Sequence, residues 1–214
     1  LRSTAKATAR QGRFGSSVDV GLDTLAIVQP GRSTVQVFER RVDSAMNWSH
    51  SDSVVLDLGD VPEIRQIGMT AVVADGGVVV GAPYDGVQAF ASGVVYVITE
   101  GNEGWSVGQR IELPDPEPYF RFGFDVAVSG AVLAVVAQGA SDLPPSIGSV
   151  FLFEPHSGPG TPWVLASEVT APAAIGSLAA PTSVDTDGET VVACDHTWGP
   201  DSDSTGACDV FSRD

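Results

Sequence analysis

Lysine is almost absent from this chain: Lys6 is the only one among 11 basic residues, which face 27 acidic ones and leave a formal charge of −16. So few cations cannot neutralise a phosphate backbone, which makes nucleic acid and anionic membranes poor partners. No apolar run approaches the roughly 20 residues that a transmembrane helix needs. We therefore expect no membrane insertion, and we interpret the acidity as a solvated surface.

Helical periodicity is missing as well, since no stretch repeats apolar residues at helical spacing. Apolar runs of four to seven residues, rich in Val, Ile and Phe, alternate instead with turn residues; the chain holds 24 Gly and 14 Pro. Such runs, bounded by Gly, Asp, Ser and Pro, are typical of short β-strands. The sequence therefore predicts an all-β fold.

A short block recurs four times along the chain. The copies are FGSSVDV from Phe14, IGMTAVV from Ile67, FGFDVAV from Phe122 and APTSVDT from Ala180, at offsets of 53, 55 and 58 residues. Two further apolar runs follow each copy, and in three repeats a more polar segment comes next, opened by Trp48, Trp105 and Trp163. Each repeat thus predicts four strands, and we assign the three phased tryptophans to core packing.

The polarity of the strands predicts how the repeats stack. The second strands are almost continuously apolar, which indicates burial on both faces, whereas fourth strands such as SVGQRIEL alternate and should be half exposed. A period of about 50 residues with four strands per unit is typical of a β-propeller. We predict a four-bladed propeller of four-stranded antiparallel blades; a two-sheet sandwich is the alternative, but it gives no reason for a repeat.

The phase of the repeats predicts how the ring closes. The repeats run roughly over 14–66, 67–121, 122–179 and 180–214, and the fourth stops after its third strand. We expect a single domain, residues 1–214, in which an N-terminal strand near residues 3–9 completes the C-terminal blade. The same strand inserted into a second molecule would give dimers or fibres. A longer, seven-bladed ring is a third arrangement.

Several motifs resemble the FG-GAP repeats of integrin α chains, in their bacterial-type form. They are the Phe-Gly pairs at Phe14 and Phe122, the Gly-Ala-Pro at 81–83 and the G-x-V-Y-V block at 93–97. The resemblance covers the whole chain and implies a propeller used in adhesion. The fourth repeat lacks the Phe-Gly pair, and most repeats lack the Asp-rich calcium loop of integrins.

Two cysteines fall in the fourth repeat. Cys194 ends its second strand and Cys208 lies in its third, so the pair should face each other across an antiparallel hairpin. We predict a disulfide, worth about 3 kcal/mol in the loop-entropy model, over two buried free thiols. A disulfide indicates an extracellular or cell-surface location, as of a secreted protein.

An acidic segment joins the same two strands. It resembles a calcium loop, in which alternate oxygen ligands point inward and a glycine permits the turn. The candidate calcium ligands are Asp201, Asp203, Thr205 and Asp209. The alternative interpretation is a polar hairpin loop without metal, and no other cofactor is indicated.

The loops between second and third strands differ in length and chemistry while the strands do not, which favours recognition at that end of the blades. The candidate ligand contacts are Trp198, His196, Tyr84, Asp85 and Phe90. A loop tryptophan laid against a neighbouring blade is the alternative for Trp198. We predict an adhesion or recognition module for protein or glycan; the alternative is a structural subunit of an extracellular assembly, with the chain itself as partner.

Catalytic constellations are not recognisable in the sequence. The histidines His50, His156 and His196 lie in different repeats, without a G-x-S-x-G turn or an H-E-x-x-H helix. Carboxylates are plentiful but have no discriminating spacing, which leaves a glycosidase as the catalytic alternative. We expect no enzymatic activity. The sequence also holds a sequon for N-glycosylation at Asn47.

Overall fold

The computed structural model describes residues 12–40, 48–56, 70–74, 76–86, 89–139, 148–158, 160–170, 180–196 and 206–212. Within these ranges the chain forms fifteen β-strands and one short 3-10 turn, Pro30–Arg32. The predicted all-β class is confirmed. None of the described ranges holds a helix long and apolar enough to cross a bilayer.

The strands form four antiparallel sheets in chain order. The first sheet contains β1 (Val18–Val20), β2 (Thr24–Gln29), β3 (Thr34–Arg40) and β4 (Trp48–Val55). The second contains β5 (Thr70–Ala74), β6 (Gly77–Ala82), β7 (Val94–Gly101) and β8 (Gly104–Ile111). The third contains β9 (Phe122–Ser129), β10 (Val132–Ala137), β11 (Ser149–Pro155) and β12 (Trp163–Thr170). The fourth contains β13 (Ser183–Thr186), β14 (Thr190–Asp195) and β15 (Ala207–Ser212).

Each sheet is a meander, with strands paired in the order of the sequence. The repeat predicted this arrangement, and the predicted order of three apolar strands followed by a Trp-initiated outer strand is confirmed in the first three sheets. In the fourth sheet, β15 pairs with β14 alone among the described residues. The N-terminal strand predicted to complete it lies outside the described residues.

Three apolar clusters connect the sheets in series, one between each consecutive pair. We call these three contacts the first, second and third joints. The middle strands serve two joints at once: in β6, Val78 and Val80 belong to the first joint and Val79 to the second. In β10, Leu133 and Val135 face the second joint, whereas Ala134 and Val136 face the third. The predicted burial of β6 and β10 on both faces is confirmed.

The first strands of the sheets also contact one another in the series β1, β5, β9 and β13. Polar side chains of one first strand accept hydrogen bonds from main-chain amides of the next. In the first joint the Ser17 hydroxyl accepts from the Ala71 amide at 3.0 Å. In the third joint the Asp125 carboxylate accepts from the Val184 amide at 2.9 Å. The fourth residue of the repeated block makes this contact in both cases.

Glycines of the Phe-Gly and Gly-Ala-Pro motifs bring the second and third sheets into main-chain contact. A Cβ on Gly81 would lie 2.1 Å from the carbonyl oxygen of Gly123, the glycine of the next Phe-Gly pair. Gly93, at a φ of +92°, would place a Cβ 2.0 Å from the Phe122 carbonyl oxygen. Only glycine fits here, so the two motifs are complementary surfaces of one joint.

A β-bulge recurs where the third and fourth strands pair in each complete sheet. One residue of the outer strand is skipped, three positions after its tryptophan. In the first two sheets the next side chain turns toward the following sheet. In the first joint the Asp52 carboxylate accepts from the Trp105 amide at 3.2 Å. In the second, the Gln109 side chain accepts from the Trp163 amide and donates to the Trp163 carbonyl, both at 2.8 Å.

The predicted disulfide is present and joins directly paired residues of β14 and β15. Cys194 and Cys208 have their Cα atoms 4.0 Å apart. The disulfide holds β15 against β14 in the fourth sheet.

Candidate functional site

The described residues bring two connections together at one end of the second and third sheets. The β6–β7 loop, in its described residues 83–86 and 89–93, lies beside the β8–β9 connection, residues 112–121, and we call this region the loop end. The Tyr119 amide donates to the Phe90 carbonyl at 2.8 Å, and the Arg121 amide donates to the Ala91 carbonyl at 3.1 Å. These bonds continue into a parallel bridge between Gly93 and Phe122, so the two connections form one ordered surface.

The backbone of the loop end adopts an unusual conformation. Five non-glycine residues of the described chain have positive φ angles, and three of them lie here: Ala91 at 52°, Tyr119 at 63° and Arg121 at 58°. Side chains disfavour this region, and such strain concentrates at binding and catalytic sites. The hydrogen bonds between the two connections hold the strained residues in place.

Aromatic side chains cover the outside of the loop end. Phe90 and Tyr119 are 43% and 40% exposed, and their rings meet edge to face with centroids 5.0 Å apart. The Arg121 guanidinium lies 5.8 Å from the centre of the Tyr84 ring, and its Nη1 donates to the Gln138 side chain at 2.8 Å. The surface thus presents two aromatic groups to solvent beside a cation held over a third ring.

A buried polar network lies beneath this surface. Asp85, 6% exposed, accepts a 2.5 Å hydrogen bond from the Tyr96 hydroxyl. Arg110 contacts the Asp85 carboxylate at 3.6 Å and also pairs with Glu112. Burial raises the pKa of the Tyr96 hydroxyl, and the neighbouring Asp85 carboxylate raises it further. The tyrosine therefore remains a proton donor to Asp85 at physiological pH.

The predicted contacts Tyr84, Asp85 and Phe90 all lie at the loop end, but in different roles. Phe90 is exposed and Tyr84 stacks with Arg121. The Asp85 side chain points inward. Its main-chain carbonyl also closes the loop by accepting a hydrogen bond from the Gly93 amide at 2.8 Å. Asp85 thus supports the loop from beneath.

The remaining predicted site residues belong to the fourth sheet. His196 is exposed at the end of β14, with its Nδ1 2.9 Å from the Thr182 hydroxyl. Trp198 and the calcium candidates Asp201, Asp203 and Thr205 lie outside the described residues. Asp209 lies within β15, paired with Ala193. The described residues contain no cluster of three or more His, Cys, Asp or Glu side chains arranged to hold a metal ion.

Sequence reasoning missed Tyr119 and Arg121. They follow a fourth strand, whereas the predicted contacts belong to loops between second and third strands. In a meander, the end of the fourth strand lies at the same end of the sheet as that loop. The available signal was the alternating sequence Tyr-Phe-Arg-Phe at 119–122. Its two phenylalanines, Phe120 and Phe122, pack in the second joint, whereas Tyr119 is exposed and Arg121 is half-buried.

Comparison with protein-family models and with curated protein sequences gives no match.

Proposed function

We propose that the chain is a non-catalytic recognition module that binds a protein partner through the loop end. The observation that carries the proposal is the ordered cluster of Phe90, Tyr119, Tyr84 and Arg121. Aromatic residues and arginine are the side chains most enriched at the energetic centres of protein interfaces. Hydrogen bonds and a buried network already hold them in place, so little conformational entropy is lost on binding.

The fold assigned to this module is a single-domain β-propeller of the FG-GAP type, with the four sheets as blades. Support comes from the repeated meander, from the series of joints and from the close fit of Gly81 and Gly93 against the next Phe-Gly pair. In the closed, four-bladed form, residues near 3–9 complete the fourth blade along β15. The disulfide is compatible with secretion of the protein.

A non-catalytic role is favoured by the surroundings of His50. Its Nε2 lies 3.1 Å from the Ser53 hydroxyl and 2.9 Å from the Gln36 side chain. This pair lies on the exposed outer strand β4, where nothing excludes water, and no carboxylate among the described residues orients the imidazole. In a Ser-His-Asp triad, a buried carboxylate orients the imidazole beside the serine.

Site-specific cross-linking tests the recognition proposal. A photoreactive phenylalanine at Phe90 should cross-link one defined protein from the extracellular fraction of the source organism, whereas the same residue at exposed Leu165 on β12 should not. With that partner purified, Phe90→Ala and Tyr119→Ala should each weaken binding at least about tenfold, and Leu165→Ala should leave it within twofold. Equal cross-linking at both positions, or unchanged affinity of the alanine variants, would refute the role of the loop end.

Self-assembly is the second candidate, and the outer faces of the series of sheets favour it. Val18 and Val20 of the first sheet are 60% and 57% exposed. Asp19, between them, bonds the second sheet, so the two valines point the other way. Val210 of the fourth sheet is 64% exposed. In an open series of sheets, these exposed valines at each end fit stacking of one chain on another, whereas a closed ring would pack the same two faces together.

Light scattering over a range of concentrations separates the two candidates. Assembly predicts a mass that rises with concentration and returns to that of a monomer in Val18→Asp/Val20→Asp and in a chain lacking residues 1–9. Phe90→Ala serves as the control and should leave assembly unchanged. A chain that stays monomeric at millimolar concentration would exclude the assembly role.

A further inference from the structure

A groove of about 350 Å³ opens between the second and third sheets, at the end opposite the loop end. The turns β5–β6, β9–β10 and β11–β12 surround it. The residues that shape it are Thr99, Gly108, Gln109, Gly130, Thr161 and Trp163. Glycines form much of the wall, and the indole of Trp163 supplies the one aromatic surface among the lining residues.

One of the positions that differ between the two joints is the partner of the tryptophan indole. In the first joint, the Trp105 indole N–H donates to Glu39 at 2.7 Å, and Trp105 is only 8% exposed. The residue at the Glu39 position in the second sheet is Thr99, since Glu39 and Thr99 each pair with the residue that follows a tryptophan, Ser49 and Ser106. Threonine is too short to fill the space, and Trp163 is left half-buried at the edge of a cavity.

The main chain that carries Trp163 is held in place beside this opening. The Gln109 amide clamps its main chain from both sides, with two bonds of 2.8 Å. A Cβ at Gly108 would lie 2.6 Å from the Thr99 hydroxyl, so glycine leaves room on this side of the groove. An aromatic residue on a fixed main chain, beside a wall in which five of fifteen residues are glycine, is preorganised for a flat ligand, which binds at low entropic cost.

The lining residues that the structure describes carry no charge, although the chain as a whole has a formal charge of −16. All fifteen lining residues are apolar, glycine or neutral polar, including the hydroxyls of Thr99 and Thr161. A charged ligand would gain no ion pair here and would lose hydration. The site therefore suits a neutral ligand with one apolar face and hydrogen-bonding edges.

We infer that this groove binds a neutral saccharide, with a pyranose ring stacked on Trp163. The C–H face of a pyranose matches the indole surface, and its hydroxyls reach Thr99, Thr161 and the main-chain groups of the glycine wall. A volume of 350 Å³ falls in the range of roughly 300–1,000 Å³ that is usual for small-molecule pockets. It is too small for the face of a folded protein, so this site is independent of the recognition proposed for the loop end.

Saturation-transfer NMR on the full chain tests the inference. The probes are methyl glucoside, methyl mannoside, methyl galactoside, N-acetylglucosamine and cellobiose, with glucuronic acid as the charged comparison and hexaproline as a peptide of another class. At least one neutral saccharide should show saturation of its ring protons, with at least fivefold stronger transfer than glucuronic acid. Absence of transfer to every neutral saccharide, or binding of hexaproline alone, would overturn the inference.

Two variants locate the binding. Thr99→Glu gives the second joint the residue that the first joint has at this position; it should fill the groove and weaken saccharide binding at least tenfold. Trp163→Ala removes the aromatic surface and should weaken binding by a similar factor. Val107→Glu adds the same charge on β8 outside the groove lining and should leave binding within twofold. Thermal melts identify any variant that has lost its fold, and saccharide binding that survives in folded Thr99→Glu would overturn the inference.

Discussion

The first and second joints are built on the same plan but differ in how tightly they close. In both, the residue four positions after one outer-strand tryptophan accepts from the amide of the next tryptophan. The first joint adds the bond from Trp105 to Glu39 and buries that ring, whereas the second has Thr99 in place of Glu39 and an open groove. The repeat therefore fixes the backbone of a joint, and single side chains decide whether it is core or cavity.

The largest effect is expected from breaking the main-chain contact of the second joint. Gly93→Ala would place a Cβ 2.0 Å from the Phe122 carbonyl oxygen at a φ of +92°, so we expect a loss of at least about 3 kcal/mol of unfolding free energy. Gly76→Ala is the matched control, with a φ of +84° and open space around its Cβ. It should cost about 1 to 2 kcal/mol. Urea unfolding of both variants measures the difference, and equal losses would contradict the role of the collision.

Glu39→Thr gives the first joint the residue that the second joint has at the equivalent position, Thr99. The Trp105 indole and the Ser51 hydroxyl both lose their acceptor, so we expect a loss of about 2 kcal/mol. Glu39→Gln retains an acceptor oxygen and should lose less than half as much. Unfolding in urea, followed by tryptophan fluorescence, compares the two variants. If Glu39→Thr left the free energy of unfolding unchanged, the bond from Trp105 to Glu39 would not be what closes the joint.

The next effect concerns the clamp on the tryptophan main chain. Gln109→Ala removes two bonds of 2.8 Å in the second joint, and Asp52→Ala removes one of 3.2 Å in the first. We expect losses of about 1 to 2 kcal/mol for Gln109→Ala and about half of that for Asp52→Ala. Thermal unfolding of the single variants measures both, and the reverse order would mean that the buried Trp105 depends on Asp52 more than the open Trp163 depends on Gln109.

The smallest effect extends the comparison to the third joint and depends on pH. Burial raises the pKa of the Asp125 carboxyl, and the hydrogen bonds from the Val184 amide and the Thr70 side chain lower it by a smaller amount. The folded state therefore binds a proton more readily than the unfolded chain, and the stability contributed by Asp125 falls as pH rises from the ordinary Asp value through the raised one. Asp125→Asn should gain up to about 1 kcal/mol, or about 2 to 4 °C in Tm, at pH 7 relative to the native chain. The gain should vanish toward pH 3.

Asp187 provides a control of opposite sign. The Thr190 and Glu189 amides lower the pKa of its exposed carboxyl, so its stability contribution is present above the ordinary Asp value and is lost as pH falls through the lowered one. Asp187→Asn should be less stable than the native chain at pH 7, and the deficit should shrink on acidification. Thermal melts of both variants at pH 3, 5 and 7 measure the two slopes; parallel slopes would contradict the assignment.

The strands were predictable because their signal is local. Runs such as Val78 to Val80 or Leu133 to Val136 bury both faces, and their apolar character is visible within a few residues. The phase of Trp105 and Trp163 likewise located the start of the outer strands. The disulfide followed from the hairpin register, which places Cys194 opposite Cys208.

The loop end and the groove were less accessible from sequence because they arise between repeats. Phe90 and Tyr119 meet only when two connections at the same end of neighbouring sheets fold together. The groove depends on Thr99 in one sheet and Trp163 in the next, 64 positions apart in the sequence. The exchange of Glu39 for Thr99 is visible in an aligned repeat, but its consequence depends on the side chain across the joint.

The fit of Gly81 and Gly93 against the following Phe-Gly pair has a consequence for how this chain can be recombined. The second sheet carries one half of this contact and the third sheet carries the other, so a repeat from another chain that replaces either sheet brings an unmatched surface with it. A chimera cut after the outer strand β8 separates both Gly81 and Gly93 from the Phe122-Gly123 pair, whereas a cut before β6 keeps these residues in one segment. What must be kept together in such recombination is the matched pair of surfaces at the boundary between two repeats. A duplication retains this contact only when it copies the residues on both sides of that boundary.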